Sequence, residues 1–95
     1  MVSTPYYKGR NREYKVMSAL RKEGWVCSRS AMSHGPVDIF AGKDGNTKLI
    51  QVKSGKAKMN SQEKGELAKW AKAFGASAEI WYYKKRNELV KEKVW

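Results

Sequence analysis

The stretch "GPVDIFAGKDGNTKLIQVKSG", residues 35–55, decides how the rest of the chain reads. "VDIFAG" (37–42) and "TKLIQVKS" (47–54) are rich in β-branched and aliphatic residues, and "KDGN" between them is a tight-turn sequence, so the pair reads as a β-hairpin. Two charges interrupt the apolar runs. Asp38 sits between Val37 and Ile39, and Lys53 follows Ile50-Gln51-Val52. A charge placed in a buried strand is costly unless it is paired, bound to a metal or put to use.

Outward from the hairpin, residues 9–23 are helical in pattern, with Val16, Met17 and Leu20 on one stripe and Gly24 as a stop. "WVCSRS" (25–30) reads as a strand, and "AMSHGP" (31–36) as a loop. Residues 61–74 return to a helical period, with Leu67, Trp70, Ala71 and Phe74 on one stripe, Ser61 as N-cap and Gly75 as terminator. "AEIWYYKK" (78–85) is a further strand, apolar on both faces, and "ELVKEKVW" (88–95) a possible fifth. The expected order is therefore α-β-β-β-α-β with a possible fifth strand. Residues 1–8 read as a loose basic arm, and residues 9–95 as one domain. There are no repeats or low-complexity tracts.

Composition narrows the function. The 95 residues carry 20 Lys and Arg against nine Asp and Glu, a formal charge of +11. A field of that sign attracts polyanions, phosphate backbones first. One cysteine and one histidine, Cys27 and His34, exclude a disulfide framework and zinc motifs built from several such residues. No signal-peptide-like run or membrane-length apolar stretch is present, which points to a cytoplasmic, DNA-associated protein without a membrane partner.

Strand alternation puts Gln51 and Lys53 on one face, and in a hairpin Asp38 would converge on them. Glu13, one turn before Val16 and Met17, is carried on the core side of the first helix. Two carboxylates, an amide and an ammonium would then share one region. Such hard oxygen donors suit Mg²⁺ or Mn²⁺ with water and a substrate phosphate, and a lysine beside them can stabilise phosphate charge. A structural Asp38–Lys53 ion pair is the bland alternative. No small-molecule cofactor is expected.

The order Glu13, "PVD" at 36–38 and "QVK" at 51–53 resembles the PD-(D/E)xK nuclease superfamily. "GRNRE" (9–13), "RSAMS" (29–33), "VDIFAG", "IQVKSG" and "AKWAKAFGASAEIWYY" look like the archaeal-type Holliday junction resolvases. The resemblance implies an α/β, restriction-endonuclease-like domain, a mixed sheet flanked by helices. It implies a homodimer that nicks both strands of a four-way DNA junction. By position it implies metal ligation by Glu13, Asp38, Gln51 and the Val52 carbonyl, catalysis by Lys53, and a loop serine in the site, Ser33 before Ser30. The family usually has Glu where this chain has Gln51; Mrr-type restriction nucleases are similar in using QxK. An Mrr-like nuclease acting on other DNA and a catalytically silent branched-DNA binder remain as alternatives, and a cellular or viral origin stays open.

Around this site the basic residues Lys8, Arg10 and Arg12 precede and open the first helix, and Lys56 and Lys58 follow the hairpin directly. With Arg29, Ser30 and His34 they are the expected DNA contacts. Cys27 reads as a small core filler, and Trp70 and Phe74 as core or dimer interface.

Overall fold

The computed structural model describes residues 5–30, 35–55, 57–84 and 88–95, with residues 5–11 described by backbone alone. The elements run α1 (Pro5–Lys22), β1 (Val26–Arg29), β2 (Ile39–Lys43), β3 (Asn46–Ser54), α2 (Ser61–Phe74), β4 (Ser77–Tyr83) and β5 (Leu89–Lys93). The five strands form one mixed sheet in sequence order, parallel between β3 and β4 and antiparallel elsewhere.

The turn at the heart of the quoted stretch forms because Asp44 and Gly45 both adopt positive φ, 51° and 80°. That is the demand of a two-residue hairpin loop whose twist matches its strands. The resulting register pairs Ile39 with Ile50 and Ala41 with Lys48. Parallel β4 then needs a crossover, and α2 provides it.

The two helices cover opposite faces of the sheet. Val16, Met17 and Leu20 of α1 pack with Ile39, Ala41, Ile50 and Trp81, while Leu67 and Ala71 of α2 pack with Leu49, Ala78 and Ile80. Ile80 and Trp81 are adjacent, fully buried and in different clusters, so the doubly apolar pattern of β4 marks a strand covered on both sides.

Three local expectations change. α1 begins at Pro5, within the stretch read as an arm, because proline is suited to a first helical turn where its missing N–H costs nothing. The N-cap of α2 is Asn60, not Ser61. Its side chain accepts from the Glu63 N–H at 2.8 Å, and Glu63 Oε1 accepts from the Asn60 N–H at 3.1 Å, a complete capping box. Finally, β2 starts at Ile39, so Asp38 lies just outside the ladder. Val37 and Ile39 belong to opposite core clusters, and simple alternation therefore fails at Asp38. Among the described residues no helix is long and apolar enough to cross a membrane.

Candidate active site

The break in alternation explains how an aspartate is seated in the core. Beyond the last β2–β3 pair the Val52 N–H has no ladder carbonyl, and Asp38 Oδ2 accepts it at 2.8 Å. The backbone on either side stays fixed. Asp38 N–H donates to the Ile50 carbonyl at 2.9 Å, and its own carbonyl accepts the Ser30 N–H at 2.8 Å. Asp38 is thus the buried charged residue of the described core, at 9% exposure.

Burial pushes the Asp38 pKa from 3.8 up to about 6; the Val52 N–H pulls it down, the Glu13 carboxylate raises it, and the Lys53 ammonium lowers it. The Arg29–Glu13 ion pair, the Ser30–Asp38 backbone bond and the Val52–Asp38 hydrogen bond bring helix α1, the Asp38 bend and the end of β3 together at one end of the sheet. Glu13 and Arg29 lie on the α1 side, joined by an ion pair of 3.2 Å with both side chains only 18% exposed. Gln51 and Lys53 alternate with Val52, which packs on the α1 cluster, and so share the α2 face with Leu49. Asp38 sits between the two groups.

Lys53 Nζ lies 3.9 Å from Glu63 Oε2 at the start of α2. Glu63 had no part in the sequence reading, although "NSQE" at 60–63 carries the signature of a capping box. Arg29 is met as the partner of Glu13, within a wider set of interactions that includes the Tyr14 ring at 5.8 Å. Ser30 is held by its backbone beside Asp38. Arg12 is half-buried on α1, while the Lys8 and Arg10 side chains and all of Ser33, His34 and Lys56 lie outside the described residues. Lys58 borders an open groove of about 920 Å³ together with Gly55, Lys64, Tyr82 and Lys84. The parallel register places Tyr82 beside Lys53, so this groove adjoins the site. Tyr82 and Lys84 are brought to Lys58 only by the β4 crossover, so no local pattern marks them as neighbours of this basic stretch. Cys27 is part-buried and its thiol donates to the Met17 carbonyl at 3.7 Å, as a packing residue would.

Among the described residues, no three His, Cys, Asp or Glu side chains form a metal cage by themselves. Carboxylates and an amide oxygen are the hard donors that a divalent cation prefers when it completes its shell with water and phosphate. They do not suit an ion that needs soft or imidazole ligands.

The comparisons with known proteins agree with this geometry. The model of the archaeal Holliday junction resolvase family (Hjc) matches residues 4–93. The chain belongs to that family. Among solved structures it is similar to Hjc of Archaeoglobus fulgidus, a Holliday junction resolvase from an archaeal hyperthermophile. The TM-score is 0.79 at 29% identity, over 92% of this chain and 73% of that one. The comparison with curated proteins returns no match. The five-stranded mixed sheet between two helices is the architecture that the sequence resemblance implied, and membership places the chain in a class of metal-dependent nucleases.

Proposed function

We propose that this resolvase-family chain is a Mg²⁺- or Mn²⁺-dependent endonuclease that resolves four-way DNA junctions by paired nicks from a homodimer. The observation that carries the reading is the seating of Asp38. A carboxylate buried enough to have its pKa raised to about 6, with Lys53 and Glu13 acting on it, is more useful to a cation and a phosphate than to the fold.

Glu13 and Asp38 would hold the cation from two sides, with the Gln51 amide oxygen and the Val52 carbonyl as neutral donors. The chemistry such a cation supplies when bound is neutralisation of phosphate charge and activation of a water. Arg29 fixes the Glu13 carboxylate. The Lys53 ammonium, half-buried at the same end of the sheet, would stabilise charge on the phosphate as it is attacked. With an amide at position 51 the site has one negative charge fewer than it would with a glutamate there, so the substrate phosphate completes more of the cation's shell. Lys8, Arg10, Arg12, Lys56 and Lys58 would grip the duplex arms through phosphate contacts, with Ser30, Ser33 and His34 near the cut strand.

A dimer is supported by the aromatic group on the α2 side. Phe74 stacks on Trp70 at 5.9 Å between centroids and meets Phe40 tilted at 6.0 Å, yet it is 54% exposed. Gly35 abuts Trp70 so closely that a Cβ would lie 3.0 Å from Cζ2, which ties this surface to the segment leading to Asp38. A second copy covering Phe74 would therefore buttress the site as well as pair two of them.

The test is to incubate the protein with end-labelled four-way junction, linear duplex and single strand, with and without Mg²⁺ or Mn²⁺, beside Asp38→Ala. Paired, metal-dependent incisions in the junction alone, reduced at least ~10³-fold in Asp38→Ala, are expected. Equal cutting of every substrate would replace the reading by a general nuclease. Tight binding without incision in either metal would make the protein a junction binder.

A further inference from the structure

The Lys53 head has a carboxylate neighbour that the site as described does not use. Glu63 Oε2 stands 3.9 Å from Nζ. Its other oxygen, Oε1, is committed to the Asn60 N–H in the capping box, and the Glu63 N–H donates to Asn60 in return. One carboxylate therefore spans two structures: the start of α2, which Leu67 and Ala71 bolt to the core, and the free end of a flexible lysine. A half-exposed ion pair at this distance does little for stability, so stability does not account for the arrangement.

Charge balance gives it another reason. Arg29 faces Glu13, and Lys53 acts on Asp38, but the residue that alternation places beside Lys53 on its own strand face is the neutral Gln51. Glu63 is the carboxylate that reaches Lys53 from outside the strand. We propose that Glu63 is a positioning residue for strand cleavage, using the helix cap as a fixed mount to hold the Lys53 ammonium at the Asp38 end of the sheet. The proposal rests on the reading of Lys53 as a catalytic group. It adds that the geometry of this lysine is set from α2 rather than from its own strand.

Glu63→Gln separates the two tasks of the side chain. Glutamine keeps an oxygen for the Asn60 N–H, so the capping box and the helix persist, while the charge facing Lys53 is gone. Three quantities are measured for wild type, Glu63→Gln and Lys53→Met: the single-turnover rate of prebound junction at saturating Mg²⁺, the junction Kd, and the thermal midpoint. The expected result for Glu63→Gln is a rate lower by roughly 10- to 100-fold with an unchanged midpoint. Its Kd should be unchanged or tighter, since one negative charge has left the neighbourhood of the phosphate backbone. A Glu63→Gln protein that cleaves at the wild-type rate while Lys53→Met does not would overturn the positioning role alone. Slower cleavage accompanied by a lower midpoint and weaker binding would assign Glu63 to the fold, and likewise overturn it. If Lys53→Met cleaves as fast as wild type, the catalytic reading of Lys53 fails and the proposal fails with it.

Discussion

The two ends of β3 hold charge in opposite ways. Near its start Lys48 faces Glu79 at 3.1 Å, Glu79 also accepts the Trp81 indole N–H at 2.9 Å, and the Lys48 ammonium lies 4.6 Å from the Trp25 ring centroid. Each charge there is answered by an opposite charge, a donor or a π-face. Near its finish, among the described residues, Asp38 accepts one backbone N–H and feels the Lys53 ammonium as the weakest of the influences on it, while another carboxylate, Glu13, pushes on it. The first end spends its polar groups on holding strands together. The second leaves a carboxylate short of stabilisation, and that shortfall is available to whatever cation and phosphate arrive.

The comparison breaks if Asp38 turns out to support the fold. A carboxyl whose pKa rises from 3.8 to about 6 keeps its proton longer in the folded chain than in the unfolded one. Folding is thus most favoured below pH 3.8, loses stability as the pH rises from 3.8 to about 6, and carries the full cost above that. Asp38→Asn keeps an acceptor for the Val52 N–H but has no charge to bury. It should raise stability at pH 7 by up to about 3 kcal/mol, with the gain vanishing by about pH 3.5, while abolishing cleavage. Thermal or denaturant melts across that pH range measure it, and a loss of stability at pH 7 would reverse the reading.

Glu79→Ala is the opposite case. It strands the buried Trp81 N–H and the Lys48 ammonium, so it should cost about 1–3 kcal/mol at neutral pH. Cleavage by the folded fraction should not change. Denaturant melts together with single-turnover rates at a temperature where both proteins are folded decide this, and a slower folded enzyme would join the two ends functionally.

Much of this was legible in the chain. The hairpin announced itself through Asp44-Gly45, α2 through its apolar stripe and Gly75, and β4 through apolar residues on both faces. What escaped has a common cause. Asn60, Glu63 and the contact of Asp38 with Val52 rest on backbone N–H groups, and hydrophobic period carries no information about those. The sheet's alternation correctly placed Gln51 and Lys53 on one face, but Asp38 reaches Val52 only because the pattern is broken there. The grouping of Lys58 with Tyr82 and Lys84 depends on a parallel crossover that no local pattern encodes.

Gln51→Glu sharpens the contrast with the smallest effect of the three. It adds a strand-borne carboxylate at the end of β3, close to Asp38, whose charge is already costly to bury. Without a divalent cation, like-charge repulsion should lower stability at neutral pH by about 1 kcal/mol and push the Asp38 pKa higher still. With Mg²⁺ the sign should invert, because each added carboxylate strengthens a hard cation site, here by roughly tenfold in the concentration needed for half-maximal cleavage. Melts with and without Mg²⁺, paired with a Mg²⁺ titration of junction cleavage, read both halves. A variant destabilised without cation and not rescued by Mg²⁺ would mean that residue 51 does not face the same cation as Asp38. The shortfall at this end of β3 would then belong to the lysine and the phosphate alone.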